Sequence, residues 1–174
     1  MQPRTERHVK GIDVSHHQRE IDWQKMKSAG VRFVYIKATE GATYRDPAML
    51  LHYTGAEQAG LKAGFYHYAR PYNDPRREVD NLLAATDGLV HDLPYALDIE
   101  TNEGKFDRTH IAHFCKVWLE EIEKRTGERA VLYTYTHFAK AYLDASLSRW
   151  PLWIAHYNVG KPGENGIWTQ WAVW

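Results

Sequence analysis

Apolar, strand-like runs alternate with helical patterns along the whole chain, and this alternation restricts the fold more than any other feature. The strand-like runs cover residues 9–14, 31–37, 63–69, 93–100, 130–135, 152–155 and 167–171. The helical patterns between them begin after acids placed as N-caps, at Asp22, Asp46 and Asp74, and the strongest one begins near Asp107. Strands that alternate with helices form a parallel sheet covered by helices, so we predict an α/β fold.

The length and composition indicate one domain. The chain has 174 residues and shows no linker or low-complexity segment. We therefore predict a disordered N-terminal tail at residues 1–8 and a single domain at 9–174. The one cysteine, Cys115, lies on the apolar side of a helical pattern and is interpreted as a core residue. No signal peptide is visible in this chain, and no apolar run is long enough to span a membrane.

The charge balance and the aromatic content point to different partners. Lys and Arg total 22, as do Asp and Glu, and this zero balance argues against nucleic acid or an anionic membrane as the main partner. Seven Trp and eleven Tyr supply flat surfaces with polar edges. Such surfaces suit sugar rings, although core packing is the commoner role for any single Trp.

The strongest chemical signal is the pair Asp98 and Glu100, two residues apart at the end of an apolar run. On a strand these side chains project from the same face, about 6–7 Å apart at the backbone. Neighbouring carboxylates raise one another's pKa, and this can provide an acid and a base near neutral pH. A solvated strand end is the simpler alternative.

Other polar residues collect at the same ends of the predicted strands, where β/α barrels place their active sites. They include Asp13, Lys37, Glu40, Tyr66, Tyr68, Tyr133 and Tyr157. A one-sided cluster of acids and aromatic rings suits glycoside cleavage. A metal site at His16 and His17 is the weaker alternative, because adjacent strand residues face opposite ways and zinc-type spacing is absent.

Ordered sequence blocks resemble glycoside hydrolase family 25, the Chalaropsis-type N-acetylmuramidases. The blocks are residues 11–15 (GIDVS), 37–41 (KATEG), 64–71 (GFYHYARP), 97–100 (LDIE), 133–134 (YT) and 151–155 (PLWIA). The similarity runs from about residue 9 to the last residue. It implies an irregular TIM-like (β/α) barrel that hydrolyses the β-1,4 bond between N-acetylmuramic acid and N-acetylglucosamine in peptidoglycan.

The resemblance also implies roles for single residues. Glu100 is expected to be the general acid, Asp98 to stabilise positive charge or orient the substrate's acetamido group, and Asp13 to line the same pocket. The residues expected to shape the sugar site, each with barrel packing as the alternative, are Lys37, Glu40, Tyr66, Tyr68, Tyr133, Trp153 and Tyr157. The resemblance implies no metal and no organic cofactor. The expected partners are glycan strands, met outside the cell or in its wall.

The sequence departs from the family pattern at its C-terminal end. Family members usually continue to a final strand that carries another acid, whereas this chain stops at Trp174 after seven predicted strands. We therefore expect a barrel that is incomplete at the C-terminus, with a monomer as the first expectation and self-association through open edges as the alternative. The alternative functions are a non-catalytic or weakly active barrel that binds wall glycan, and a glycosidase for another glycan such as chitin.

Overall fold

The computed structural model describes residues 1–157 and 159–174 as a mixed α/β fold. The strands are β1 Lys10–Val14, β2 Val31–Glu40, β3 Tyr44–Arg45, β4 Lys62–Tyr68, β5 Ala96–Asp98, β6 Val131–Tyr135 and β7 Leu152–Ala155. The helices are α1 Trp23–Ser28, α2 Met49–Gln58, α3 Pro75–Ala85, α4 Arg108–Thr126 and α5 Thr136–Tyr142, with a 3-10 helix at Ala145–Leu147.

The strands form one curled sheet in the order β1-β2-β4-β5-β6-β7, and all of these neighbours are parallel. The short β3 pairs antiparallel with the end of β2. The sheet curls into a half-barrel, so the prediction of an incomplete TIM-like barrel is confirmed. Within the described residues, no helix is long and apolar enough to cross a membrane.

The two faces of the sheet have different contents. The outer face is aliphatic and packs against the helices, with Val34, Leu97 and Ile154 fully buried. The inner face is aromatic: the rings of Tyr35 and Trp153 lie 4.7 Å apart at its centre. Successive strand residues point to opposite faces, so the period-two pattern of these strands separates the two cores. Cys115 is buried in the helix layer, as predicted.

The predicted helix starts are confirmed for three of the four acids. Asp22, Asp74 and Asp107 each accept a backbone N–H of the first helical turn. Asp46 differs, because α2 has Ala48 as its N-cap. One carboxylate oxygen of Asp46 still accepts from Ala48 N at 2.9 Å, so this acid caps the turn that precedes the helix.

The predicted seventh strand at residues 167–171 is wrong. The Asn165 side-chain oxygen accepts the backbone N–H groups of Ile167 at 3.0 Å and Trp168 at 2.9 Å, which bends the chain and removes those donors from any strand ladder. Pairing with β7 begins later, through an isolated parallel bridge between Val173 and Trp153. Local side-chain bonds therefore override the apolar strand signal here.

Residues 1–8, predicted to be a disordered tail, form no helix or strand but contact the C-terminal segment. Gln2 bonds with Trp171 through three hydrogen bonds of 2.8, 3.1 and 2.8 Å, and the His8 ring lies 4.5 Å from the ring of Trp171. The two ends of the described chain therefore lie together beside β1.

Candidate active site

A cavity of about 390 Å³ lies where the C-terminal ends of the parallel strands meet on the inner face of the half-barrel. Its lining residues are Asp13, Ser15, His17, Lys37, Glu40, Tyr66, Tyr68, Arg70, Asp98, Glu100, Tyr133 and Trp153. The structure thus brings together every site residue predicted from the sequence except Tyr157. Three further lining residues, Ser15, His17 and Arg70, were not predicted as site residues, although Ser15 and Arg70 lie in family-like blocks.

Asp98 is the most deeply buried acid of the cavity. Only 7% of the residue is exposed, and its Oδ1 has no hydrogen-bond partner among the described residues. Burial raises the pKa of Asp98 well above its usual range, and the negative charge of Glu100 raises it further, against the opposing effect of Lys37. The site therefore disfavours a negative charge on Asp98.

Glu100 follows β5 directly and is half-buried at the cavity wall. Burial raises its pKa, as does the charge of Asp13, whereas Lys37 and the Tyr133 hydroxyl oppose the rise. A carboxyl with a raised pKa keeps its proton at a higher pH than a free glutamate does. This is the property that a general acid needs.

Asp13 brings a third carboxyl to the cavity from the adjacent edge of the sheet. It is exposed at the mouth, yet desolvation by the surrounding residues raises its pKa against a backbone hydrogen bond that lowers it. The register of β1 against β2 shifts between Lys10 and Gly11. An added Cβ at Gly11 would lie 2.1 Å from the Phe33 ring, so any larger residue there would have to displace that ring.

Glu40 is held as a carboxylate between two cations. Lys37 Nζ donates to Glu40 Oε2 at 2.6 Å, and Arg70 Nη2 donates to Glu40 Oε1 at 2.6 Å. Burial alone would raise the pKa of Glu40, but the hydrogen bonds from Lys37 and Arg70 outweigh this effect and lower it. Arg70 also binds Glu103 at the rim. The cavity thus has one fully paired acid beside three acids with raised pKa values.

A β-bulge places both Lys37 and Glu40 in the cavity. Residues three apart on a regular strand face opposite ways. The register of β2 against β4 shifts between Lys37 and Thr39, so that Lys37 lies opposite Tyr66 and Thr39 opposite His67. The bulge adds one residue to β2 and returns Glu40 to the inner face.

Aromatic side chains form much of the remaining wall. The Trp153 ring lies 4.8 Å from Tyr133 and 6.5 Å from Tyr66, edge-on to both. Tyr68 lies beneath Lys37 and Arg70, whose charges are 4.8 and 4.9 Å from its ring centre. Burial raises the pKa of Tyr68 to about 12 and raises the pKa values of Tyr66 and Tyr133 as well. These hydroxyls therefore remain protonated and able to donate hydrogen bonds.

Tyr157 lies outside this cavity, on a second groove that we name the β6–β7 groove. That groove measures about 480 Å³ and is lined by Glu100, Tyr133, Tyr135, Thr136, His137, Lys140, Ala155, His156 and Tyr157. Glu100 and Tyr133 belong to both spaces and so form their shared wall. Tyr157 is 80% exposed at the rim.

The side chains around His16 and His17 do not form a ligand set for the alternative metal site. His16 Nδ1 bonds to Asp46 Oδ2 at 2.7 Å, and His17 lines the cavity mouth. Among residues 1–157 and 159–174, no group of three or more His, Cys, Asp or Glu side chains is arranged to hold a metal ion. His16 and Asp46 instead tie the end of β1 to the turn before α2.

Comparison with known proteins assigns the chain to a family. The family model described as glycosyl hydrolases family 25 matches residues 12–174, and the chain belongs to that family. The "Autolytic lysozyme" of Clostridium acetobutylicum is 40% identical over 157 residues, which cover 88% of this chain and 47% of the relative. "Lysozyme M1" of Streptomyces globisporus is 33% identical over 178 residues, 95% of this chain and 60% of the relative. The chain thus spans about half to three fifths of the length of these relatives.

Solved structures of the family share the fold. A bacterial lysozyme from Streptomyces coelicolor superposes with a TM-score of 0.88 at 32% identity, covering 96% of this chain and 82% of the other. A family GH25 lysozyme from Aspergillus fumigatus gives a TM-score of 0.87 at 30% identity, with coverage of 94% and 84%. The half-barrel described above is therefore the fold of this family over nearly the whole chain.

Proposed function

We propose that this chain hydrolyses the β-1,4 glycosidic bond between N-acetylmuramic acid and N-acetylglucosamine in bacterial peptidoglycan. The observation that carries the proposal is the convergence of Asp98 and Glu100, both with raised pKa values, in one cavity with aromatic walls. Membership of glycosyl hydrolase family 25 supports it, as do relatives named lysozyme.

Glu100 acts as the general acid in this proposal. It lies on the wall of the cavity, where its carboxyl can reach the glycosidic oxygen of a glycan strand held in that cavity. Its raised pKa keeps the proton available, and the proton passes to the leaving oxygen as the bond to the anomeric carbon breaks. One water completes the hydrolysis: its hydroxyl ends on the anomeric carbon and its proton is returned to Glu100. General acid catalysis of this kind contributes about 10²- to 10⁴-fold to the rate.

Asp98 and Asp13 act on the sugar whose anomeric carbon reacts. Positive charge that develops on this sugar lowers the cost of ionising a buried neighbouring carboxyl, so the charge on Asp98 becomes favourable as the bond breaks. In the resting site Asp98 is suited to orient the acetamido group. The tyrosine hydroxyls and the Lys37–Glu40–Arg70 group supply donors and acceptors for the sugar's polar groups.

The same proposal sets the partner and the place of action. The partner is the glycan strand of peptidoglycan, so the protein acts outside the cell or within its wall, and it acts as a monomer. Two comparisons support the wall as the substrate: the match to the glycosyl hydrolases family 25 model, and the relative named "Autolytic lysozyme".

Product analysis tests the proposal against the two alternative functions. Purified peptidoglycan and chitin are each incubated with the protein, and new reducing ends are reduced with borohydride and identified by mass spectrometry. We expect reduced muramic acid from peptidoglycan and no comparable release from chitin. The test variant is Glu100→Gln, which loses the proton donor. The matched control is Glu120→Gln, the same substitution at an exposed position of α4.

Each alternative has its own outcome in this assay. Reduced glucosamine ends, or faster release from chitin, would assign a different glycosidic bond. Binding to the wall without any new reducing end would assign a non-catalytic wall-binding barrel. Equal turnover by Glu100→Gln and Glu120→Gln would remove Glu100 from its role.

A further inference from the structure

The β6–β7 groove holds positively charged and hydrogen-bonding side chains that cleavage of a neutral glycan does not use. Lys140 and His137 are three residues apart on α5, a spacing that puts both on one side of a helix, and both are exposed on the groove. Lys140 makes no ion pair with any described residue within 4.0 Å. Among the described residues, Glu100 on the shared wall is the one acid that lines the groove.

His156 adds an oriented donor to the opposite side of the groove. Its Nδ1 accepts the backbone N–H of Gly163 at 3.0 Å and lies 2.9 Å from the Thr136 hydroxyl. A nitrogen that accepts an N–H carries no proton of its own, so in the neutral ring the proton is on Nε2. The neutral His156 ring therefore presents Nε2 as its hydrogen-bond donor.

The groove continues directly from the cavity that contains the reacting bond. Because Glu100 and Tyr133 form the wall between the two spaces, a substituent on a sugar next to the cleaved bond lies beside the groove. Peptidoglycan carries one anionic substituent of this kind on every muramic acid, a short peptide with free carboxylates. A neutral glycan has no group that would pair with Lys140.

We propose that the β6–β7 groove binds the acidic peptide stem of peptidoglycan, with Lys140 pairing with a stem carboxylate and His137 and His156 donating hydrogen bonds to it. The inference rests on the proposed function and deepens it, because it makes the peptide a determinant of substrate choice. Tyr157, exposed at the rim, packs against the apolar part of the stem. The site thus selects glycan strands that still carry their peptides.

Cleavage of two matched substrates tests this inference. Both are peptidoglycan freed of phosphodiester polymers, and one is then treated with an amidase that removes the stems and with carbodiimide and methylamine, which cap the lactyl carboxylates that this hydrolysis leaves on the sugars. Lys140→Glu should lower kcat/KM on stem-bearing strands about fivefold or more and leave stem-free strands within about twofold, with a smaller loss at high salt. Lys116→Glu, the same charge reversal at an exposed position of α4, should change kcat/KM equally on both substrates. Equal losses on both substrates in Lys140→Glu, or no loss, would overturn the proposal.

A binding measurement separates this inference from the proposed function. The Glu100→Gln variant is titrated with a synthetic stem peptide and with the same peptide amidated at every carboxyl, while the ring signals of His137 and His156 are followed by NMR. We expect both histidines to shift with the acidic peptide alone, and the shifts to disappear when Lys140→Glu is added. Equal responses to the two peptides, or none, would overturn the stem site whether or not the protein cleaves peptidoglycan. If the parent protein does not cleave peptidoglycan while these shifts are intact, only the proposed function is refuted.

Discussion

Two polar clusters lie on opposite faces of the same sheet, and their charged groups have opposite environments. The outer cluster, Thr39, His67 and Glu78, lies between the sheet and the helices and is fully buried. Within it, Thr39 Oγ1 lies 2.8 Å from His67 Nδ1, and His67 Nε2 lies 2.7 Å from Glu78 Oε2. The second Glu78 oxygen accepts from Asn73 at 2.8 Å and from the Arg70 backbone at 3.2 Å. Every side-chain polar atom of the outer cluster therefore has a partner.

The inner cluster, Asp13, Asp98 and Glu100, lies on the other face of the sheet and is not fully paired. One oxygen of Asp98 is unpaired among the described residues, and all three acids have raised pKa values. A buried polar group costs free energy when it is unpaired and little when its network is complete. The comparison teaches that the outer cluster stabilises the sheet, whereas the inner cluster lowers stability and keeps its protons available for chemistry.

The largest expected effect is on the outer cluster. Glu78→Ala leaves His67, Asn73 and the Arg70 backbone without their acceptor, and we expect it to cost about 3 kcal/mol or more of the free energy of unfolding. For a chain of this size that is a fall in Tm of about 6–12 °C. Thermal melts of Glu78→Ala beside Glu120→Ala, an exposed control on α4, measure it. A fall of the same size in both variants would show that the outer cluster contributes nothing special.

Glu100→Gln should have the largest effect of any change in the inner cluster, and on rate instead of stability. The variant keeps the shape of the side chain but has no proton to transfer. We expect peptidoglycan cleavage to fall by about a hundredfold or more, while Tm stays equal or rises slightly. Initial rates check the expected loss of cleavage, and thermal melts on the same preparation check the expected Tm. A drop in Tm like that of Glu78→Ala would mean that the two clusters do not differ in kind.

Asp98→Asn should produce opposite changes in stability and rate. Removing a buried acid with an unpaired oxygen should add about 1 kcal/mol to the free energy of unfolding, whereas loss of the charge should slow cleavage about tenfold or more. Denaturant unfolding and initial rates measure the two effects. A variant that is both less stable and fully active would reverse the role given to Asp98.

The stability gain of Asp98→Asn should depend on pH. Because burial raises the pKa of Asp98, the folded state holds this proton more tightly than the unfolded state, whose value is near 3.8. The contribution of Asp98 to the parent's stability is therefore fully present below about pH 3.8, and it is lost as the pH rises through the pKa of Asp98 in the folded state. The Tm difference between Asp98→Asn and the parent should be small at pH 4 and larger at pH 7. The reverse trend would show that Asp98 is stabilised as a carboxylate.

The smallest expected effect is at the edge of the outer cluster. Asn73 is half-buried and supplies one of several donors to Glu78. Asn73→Ala should cost about 1 kcal/mol and leave the rate of cleavage within about twofold. A loss as large as that of Glu78→Ala would place the centre of the cluster at Asn73.

The sequence predicts the inner face better than the outer cluster, for a physical reason. Period two on β4, β5 and β6 places Tyr66, Asp98 and Tyr133 on one face, and local spacing is enough to see this. The pair His67 and Glu78 depends on where α3 lies against the sheet, and no local pattern encodes that position. The segment at residues 167–171 was mispredicted because the bonds to Asn165 compete with strand pairing.

The bulge in β2 makes the numbering of that strand part of the chemistry. From Phe33 to Lys37 the strand points its odd-numbered residues inward, and after the extra residue it points Glu40 inward and Thr39 outward. Loss of the codon for Ala38 would remove that extra residue and make β2 a regular strand. Thr39 would still point outward and Glu40 inward, now two positions from Lys37, as period two requires. The bulge is therefore what allows the odd spacing between Lys37 and Glu40 to serve one face of the sheet.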